Sequence, residues 1–214
     1  MVRKMKWFVR AATLGMVLLL FTTAQAKPID TLIQNDFITA ESIDAGMIQT
    51  GVQFSAGEGY QSFYPAFRFG VGAFVEMGLR MGATSADIGS EDTIATMIGG
   101  DIKYQMVKQA EGIPVDLAID LAFDNHFISG NNISQLSFAA LFSRSYPLVE
   151  RGYKVTPYCG LELSSLYGSY LNKQETSFNL FAGFEWKVTQ KSMFLVELKE
   201  GESLVGGAAI RFEY

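Results

Sequence analysis

The chain has one cysteine, Cys159, and one histidine, His126, in 214 residues. A lone cysteine excludes an intramolecular disulfide, and on an apolar stretch it reads as a small hydrophobe. No Cys/His metal cluster, Gly-rich phosphate loop or nucleophile elbow occurs, so neither metal nor cofactor is expected. Basic residues are short too, 17 against 22 acids. Long apolar runs are missing with one exception, Ala11 to Phe21, which falls well below the roughly 20 residues of a membrane helix.

That one run has flanks of its own. Arg3, Lys4 and Lys6 precede it, and Ala24-Gln25-Ala26 follows as an A-x-A cleavage site. Residues 1–26 therefore read as a signal peptide for export. Their removal takes away Arg3, Lys4, Lys6 and Arg10 and no acid, which moves the formal charge from −5 to −9. So acidic a chain argues against nucleic acid as a partner. The remaining 188 residues suffice for one domain.

What the chain does have is alternation. From Leu204 to Tyr214 one face carries Leu204, Gly206, Ala208, Ile210, Phe212 and Tyr214, and the other carries Val205, Gly207, Ala209, Arg211 and Glu213. Between Val115 and Asp124, Val115, Leu117, Ile119, Leu121 and Phe123 alternate with Asp116, Ala118, Asp120, Ala122 and Asp124. A helix would scatter these apolar residues around its axis, whereas a strand puts them on one face. Similar segments, about ten residues each, recur from Ile43 onward. Ten can be counted, and eight or twelve follow if a hairpin is wrongly split or fused. Tight connections at Gly72-Ala73 and Thr189–Ser192 alternate with longer ones at Ser85–Asp92, His126–Ser134 and Tyr167–Thr176. Short periplasmic turns and longer outer loops belong to a transmembrane antiparallel up-and-down β-barrel, all-β, over residues 43–214. Residues 27–42 show no sustained period and read as a periplasmic lead-in, with a short helix near Asp30 to Asn35. Pro65 should mark a bulge or a late start to its ladder.

Polar-face charges then face a lumen. They are Arg68, Glu76, Arg80, Asp101 and Lys103 in the first half, and Asp116, Asp120, Asp124, Glu162, Glu185 and Arg211 in the second. A barrel this small is filled by its own side chains. The Asp116, Asp120, Asp124 ladder should therefore pair with Arg68, Arg80, Lys103 and Arg211. Its members lie roughly 13 Å apart on a strand, too far for one metal to bridge. Phe63, Tyr104, Trp186, Phe212 and Tyr214 near strand ends read as interfacial girdle residues. One internal echo exists: Phe67 to Val71 leads through a turn into Val75-Glu76-Met77, as Phe184 to Val188 leads into Val196-Glu197-Leu198.

Tyr64 to Val71, Gly100 to Gln105, Val155 to Tyr158 and Asn179 to Phe184 resemble small Gram-negative outer-membrane β-barrel proteins, among them families related to outer-membrane transporters. The resemblance implies an outer-membrane location with lipid and lipopolysaccharide as surroundings. It implies the barrel assembly machinery as a partner, reading Ile210, Phe212 and Tyr214 as its signal. Small solutes are the candidate cargo of a non-enzymatic structural protein or narrow pore. The alternative is a barrel hydrolase using His126 with Asp124, since an Asp beside a His builds a general base. Asp124-Asn125-His126 is similar to half of the omptin protease site. Asp87, Glu91 and Asp92, however, lack the Asp-x-Asp of its other half. Against lipid A deacylases, His126 and Ser129 are spaced one residue too far and the following strand holds no Glu.

Phe212→Asp, or deletion of Tyr214, should lower the share of chain that runs as a heat-modifiable barrel on a denaturing gel. Normal insertion of both variants would count against the terminal signal.

Overall fold

The computed structural model describes residues 36–57, 59–88, 91–110, 113–128, 131–148, 153–169, 174–201 and 203–214. The signal peptide, the helix expected near Asp30 to Asn35, Ser129, and the side chains of Asp87, Glu91 and Asp92 lie outside them.

Ten long strands form a closed antiparallel wall in which each pairs with its neighbours in sequence. They are β1 (Ile48–Gly57), β2 (Tyr60–Gly70), β3 (Val75–Ile88), β4 (Glu91–Val107), β5 (Asp116–Ile128), β6 (Asn131–Ser143), β8 (Tyr153–Gly168), β9 (Glu175–Lys187), β10 (Ser192–Glu200) and β11 (Leu204–Glu213). The three-residue β7 (Tyr146–Leu148) pairs with β8 alone, and β6 pairs with β8 past it. Closure joins β1 to β11, with Gly51 opposite Arg211 and Val52 opposite Ile210. Closure leaves no edge, so wall N–H and C=O groups find partners within the wall itself.

The wall is inside out relative to a soluble protein. Leu121, Phe138, Ile102 and Phe178 are each about half exposed on the outside. Among the described residues, 29 polar or charged residues are buried against 22 apolar ones, so the interior is the polar side. Phe63, Tyr104, Trp186, Phe212 and Tyr214 all lie outward, as girdle residues must. Cys159 is exposed on the same apolar surface.

Three local features depart from the sequence reading. Pro65 makes no bulge and delays no ladder. It lies opposite Val52 of β1, and the β2–β3 register is the same before it (Phe63 opposite Ala83) and after it (Ala66 opposite Arg80). The only cost of the missing N–H is a two-residue gap in pairing. The register shift falls instead at Gln105/Val107 in β4. The connections that follow β4 and β6 are longer than tight turns and are tied together: the Ser145 backbone N–H donates to Gln109 Oε1 at 2.9 Å, and β7 folds back on β8.

The third departure is the largest. The described part of the expected periplasmic lead-in, Asp36 to Ser42, lies inside the lumen. Phe37, Ile38 and Ala40 are fully buried. Phe37 packs with Met193, Leu195 and Ala209 on one wall. Ile38 and Ala40 meet Ala118, Ala139, Leu141, Tyr158 and Phe181 on the other. Neighbouring side chains thus bury against opposite walls, and the segment therefore shows no single apolar face in sequence. It descends to Ile43 and Asp44 beside Gly70, then reverses through Gly46, whose φ of 84° suits glycine, into β1.

Leu121→Arg, at the middle of β5 on the outer face, should destabilise the barrel in lipid vesicles by about 2–4 kcal/mol. Urea unfolding checks this, and an unchanged midpoint would mean that the face does not meet hydrocarbon.

Candidate functional site

The lumen insert has no strand to pair with, so its backbone must be satisfied by side chains of the wall. Five N–H groups find acceptors. Asp36 and Phe37 donate to the two oxygens of Glu197 at 3.0 and 2.9 Å. Ala40 donates to Ser143 Oγ at 3.2 Å, Ser42 to Gln105 Oε1 at 3.0 Å, and Ile43 to Glu76 Oε2 at 2.9 Å. Two carbonyls are taken by one ammonium: Lys103 Nζ donates to Thr39 O at 2.6 Å and Glu41 O at 2.8 Å.

Charge fixes the two ends of the insert. At its inner end, Asp36 accepts from Lys199 at 2.7 Å, and Lys199 also reaches Glu162 at 2.7 Å. Tyr158 Oη donates to Glu197 at 3.0 Å and Asn179 donates to Glu162 at 2.9 Å. Near the rim where β1 starts, Glu41 pairs with Lys154 and accepts from Ser145 Oγ. Burial raises the Glu41 carboxyl, but the Lys154 ammonium and the hydrogen bonds outweigh it and hold the group below its usual range.

Phe37 has φ of 52°, a left-handed conformation rare for a bulky residue. It is held there by two consecutive N–H bonds to one carboxylate and by complete burial of the ring. Strain of this kind, of order 1–3 kcal/mol, survives only where the surroundings over-determine it.

The lumen charges read from sequence all lie on inner faces, but their pairing differs from the expected one. Among the described residues only Arg80 pairs with the aspartate ladder, donating to both Asp124 oxygens at 2.7 and 2.5 Å. Asp116 accepts from Gln105 and from the Gln109 backbone, both at 2.8 Å. Asp120 Oδ1 is buried with no hydrogen bond. Arg68 turns instead to Glu76 at 2.8 Å and Asp101 at 2.6 Å, and Lys103 to Glu76 at 3.1 Å and to the insert. Two glycines make room: a Cβ on Gly78 would overlap the Asp101 carboxylate, and one on Gly99 the Asp124 carboxylate. Glu185 and Arg211 face the end of the lumen where β1 starts. Asp124 and His126 are both buried on β5, with Asp124 engaged by Arg80 as above.

Glu197 and Lys199 were absent from the lumen set read from sequence. They alternate with Leu198 on β10 and follow Met193 and Leu195 on the inner face. The apolar start of that face hides the polar end. The signal that could have found them is the internal echo, because its two glutamates, Glu76 and Glu197, both accept N–H groups of the insert.

Glu197→Ala should speed amide exchange at residues 36 and 37 by about ten- to a hundredfold, given about 1.5–3 kcal/mol for a hydrogen bond to a charged acceptor. Exchange in β5 should not change. Unaltered protection at 36 and 37 would show that Glu197 does not hold the insert.

No protein-family model and no curated protein matches the chain. Solved structures do match it. The N-terminal β-barrel domain of Pseudomonas aeruginosa OprF is 10% identical with a TM-score of 0.40, over 80% of this chain and 100% of that one. The β domain of the Bordetella autotransporter BrkA is 10% identical with a TM-score of 0.49, over 78% and 97%. The KdgM porin is 9% identical with a TM-score of 0.39, over 77% and 98%.

Proposed function

We propose that this chain is a non-enzymatic outer-membrane barrel, exported through residues 1–26, whose narrow polar lumen is a pathway for small solutes closed by its own N-terminal segment. The observation that carries the reading is the satisfaction of that segment's backbone by wall side chains: Glu197, Ser143, Gln105, Glu76 and Lys103 hold it across the lumen. A lumen needing no closure has no use for five side chains aimed at one strip of backbone. The wall around the strip is polar enough to be wetted once the strip leaves, since Arg68, Asp101, Arg80, Asp124 and Glu162 face inward.

A hydrolase built on Asp124 and His126 has less support. The general base would rely on Asp124 to orient the imidazole. Both Asp124 oxygens are already engaged by Arg80. Arg80 also reaches Asp36 of the insert at 3.9 Å, which ties this cluster to closure.

Planar-bilayer recording tests the proposal. The full chain should be mostly silent, and a variant lacking residues 27–42 but still heat-modifiable should show discrete open steps. A folded deletion variant that stays silent would sink the pore and leave a structural role.

A further inference from the structure

At the end of the lumen where β1 starts lies a cavity of about 110 Å³. Charges crowd its walls, and most are spoken for. Lys154 is paired with Glu41, Lys187 with Glu213 at 2.9 Å, and Lys103 with Glu76 at 3.1 Å. Among the buried and half-buried charges two opposite ones are left over, since Asp44, which also lines the cavity, is exposed. Arg211 is 4% exposed, yet its Nε and Nη2 have no hydrogen-bond partner, and it joins no ion pair among the described residues. Glu185, half-buried on β9, likewise has no ion pair among them.

Register explains why these two do not neutralise each other. Arg211 on β11 lies opposite Met193 of β10, and Glu185 on β9 lies opposite Leu195 of β10. One whole strand separates them, with an offset of two residues. At ladder spacing their Cα atoms stand roughly 12 Å apart. Both side chains line the cavity, with Met193 on the wall between them.

An unpaired buried guanidinium is costly, and its planar fork matches a carboxylate. A simple anion would meet Arg211 but stand near the Glu185 carboxylate, which repels it. We propose that the cavity binds a small zwitterion of amino-acid type, its carboxylate on the Arg211 fork and its ammonium on Glu185. Both leftover charges are then met by one neutral molecule, and the volume restricts it to a compact one. Ile38, Thr39, Ser42 and Ile43 of the insert line the same cavity, so the bound molecule touches the closing segment. The site itself does not depend on the barrel conducting.

Titration calorimetry of the full chain in detergent tests this, with glycine as probe and acetate and methylammonium as its two halves. Glycine should give saturable heat at one site per chain, with each half about tenfold weaker or more. Glu185→Gln and Arg211→Lys should each weaken glycine by a similar factor while remaining heat-modifiable. Should the Arg211 variant fail to fold, Glu185→Gln and the half-molecules decide the matter. No saturable heat from glycine at millimolar concentrations would mean a cavity that holds only water. Acetate binding as tightly as glycine would mean a plain anion site. Either result, or full binding by Glu185→Gln, overturns the proposal.

Discussion

The carboxylate of Glu197, accepting two successive backbone N–H groups from Asp36 and Phe37, is the contact on which the interior is arranged. A closed barrel consumes every wall N–H and C=O in its own ladders. A length of chain inside it has no ladder to join, and water is largely excluded. Its backbone must then be met by side chains placed one at a time. Glu197 does this at the inner end and Glu76 at the end next to β1, with Ser143 and Gln105 between them.

The ionic network follows from the same constraint. Burying charge is expensive unless it is paired and further hydrogen-bonded. Arg68, Arg80, Lys103 and Lys199 each meet at least one carboxylate. Lys103 and Lys199 also touch the insert, the first through two carbonyls and the second through Asp36. Removing the insert therefore loosens wall charges as well as opening space. The glycines beside Asp101 and Asp124 belong to the same economy of room, since any side chain there would displace a paired carboxylate.

The wall was legible in the sequence because an apolar outside and a polar inside enforce a period of two. The ten strands, their inner faces and the outward aromatics follow from that period alone. Of the pairing inside the lumen, only Arg80 with Asp124 was legible. Lys103 lies directly across the β4–β5 ladder from Asp120, yet its ammonium leaves that acid for the insert. Pairing depends on a third element that crosses the space between strands. The insert itself was missed because its residues bury on all sides, Phe37 to one wall and Ile38 to the other, and so show neither period. Glu197 and Lys199 were missed because the inner face of β10 begins with Met193 and Leu195, which read as core.

The insert is joined to the wall by a single short turn, Asp44 to Met47, that runs straight into β1. If the insert is the stopper proposed above, it cannot be diluted away, because it is carried on the same chain. Its local concentration is set by the tether and stays in the millimolar range or above, whatever the amount of protein in the membrane. Closure is thus a property of each molecule alone. Its seat, formed by Glu197, Glu76 and Lys103, is on the same chain, so no partner is needed to fill it.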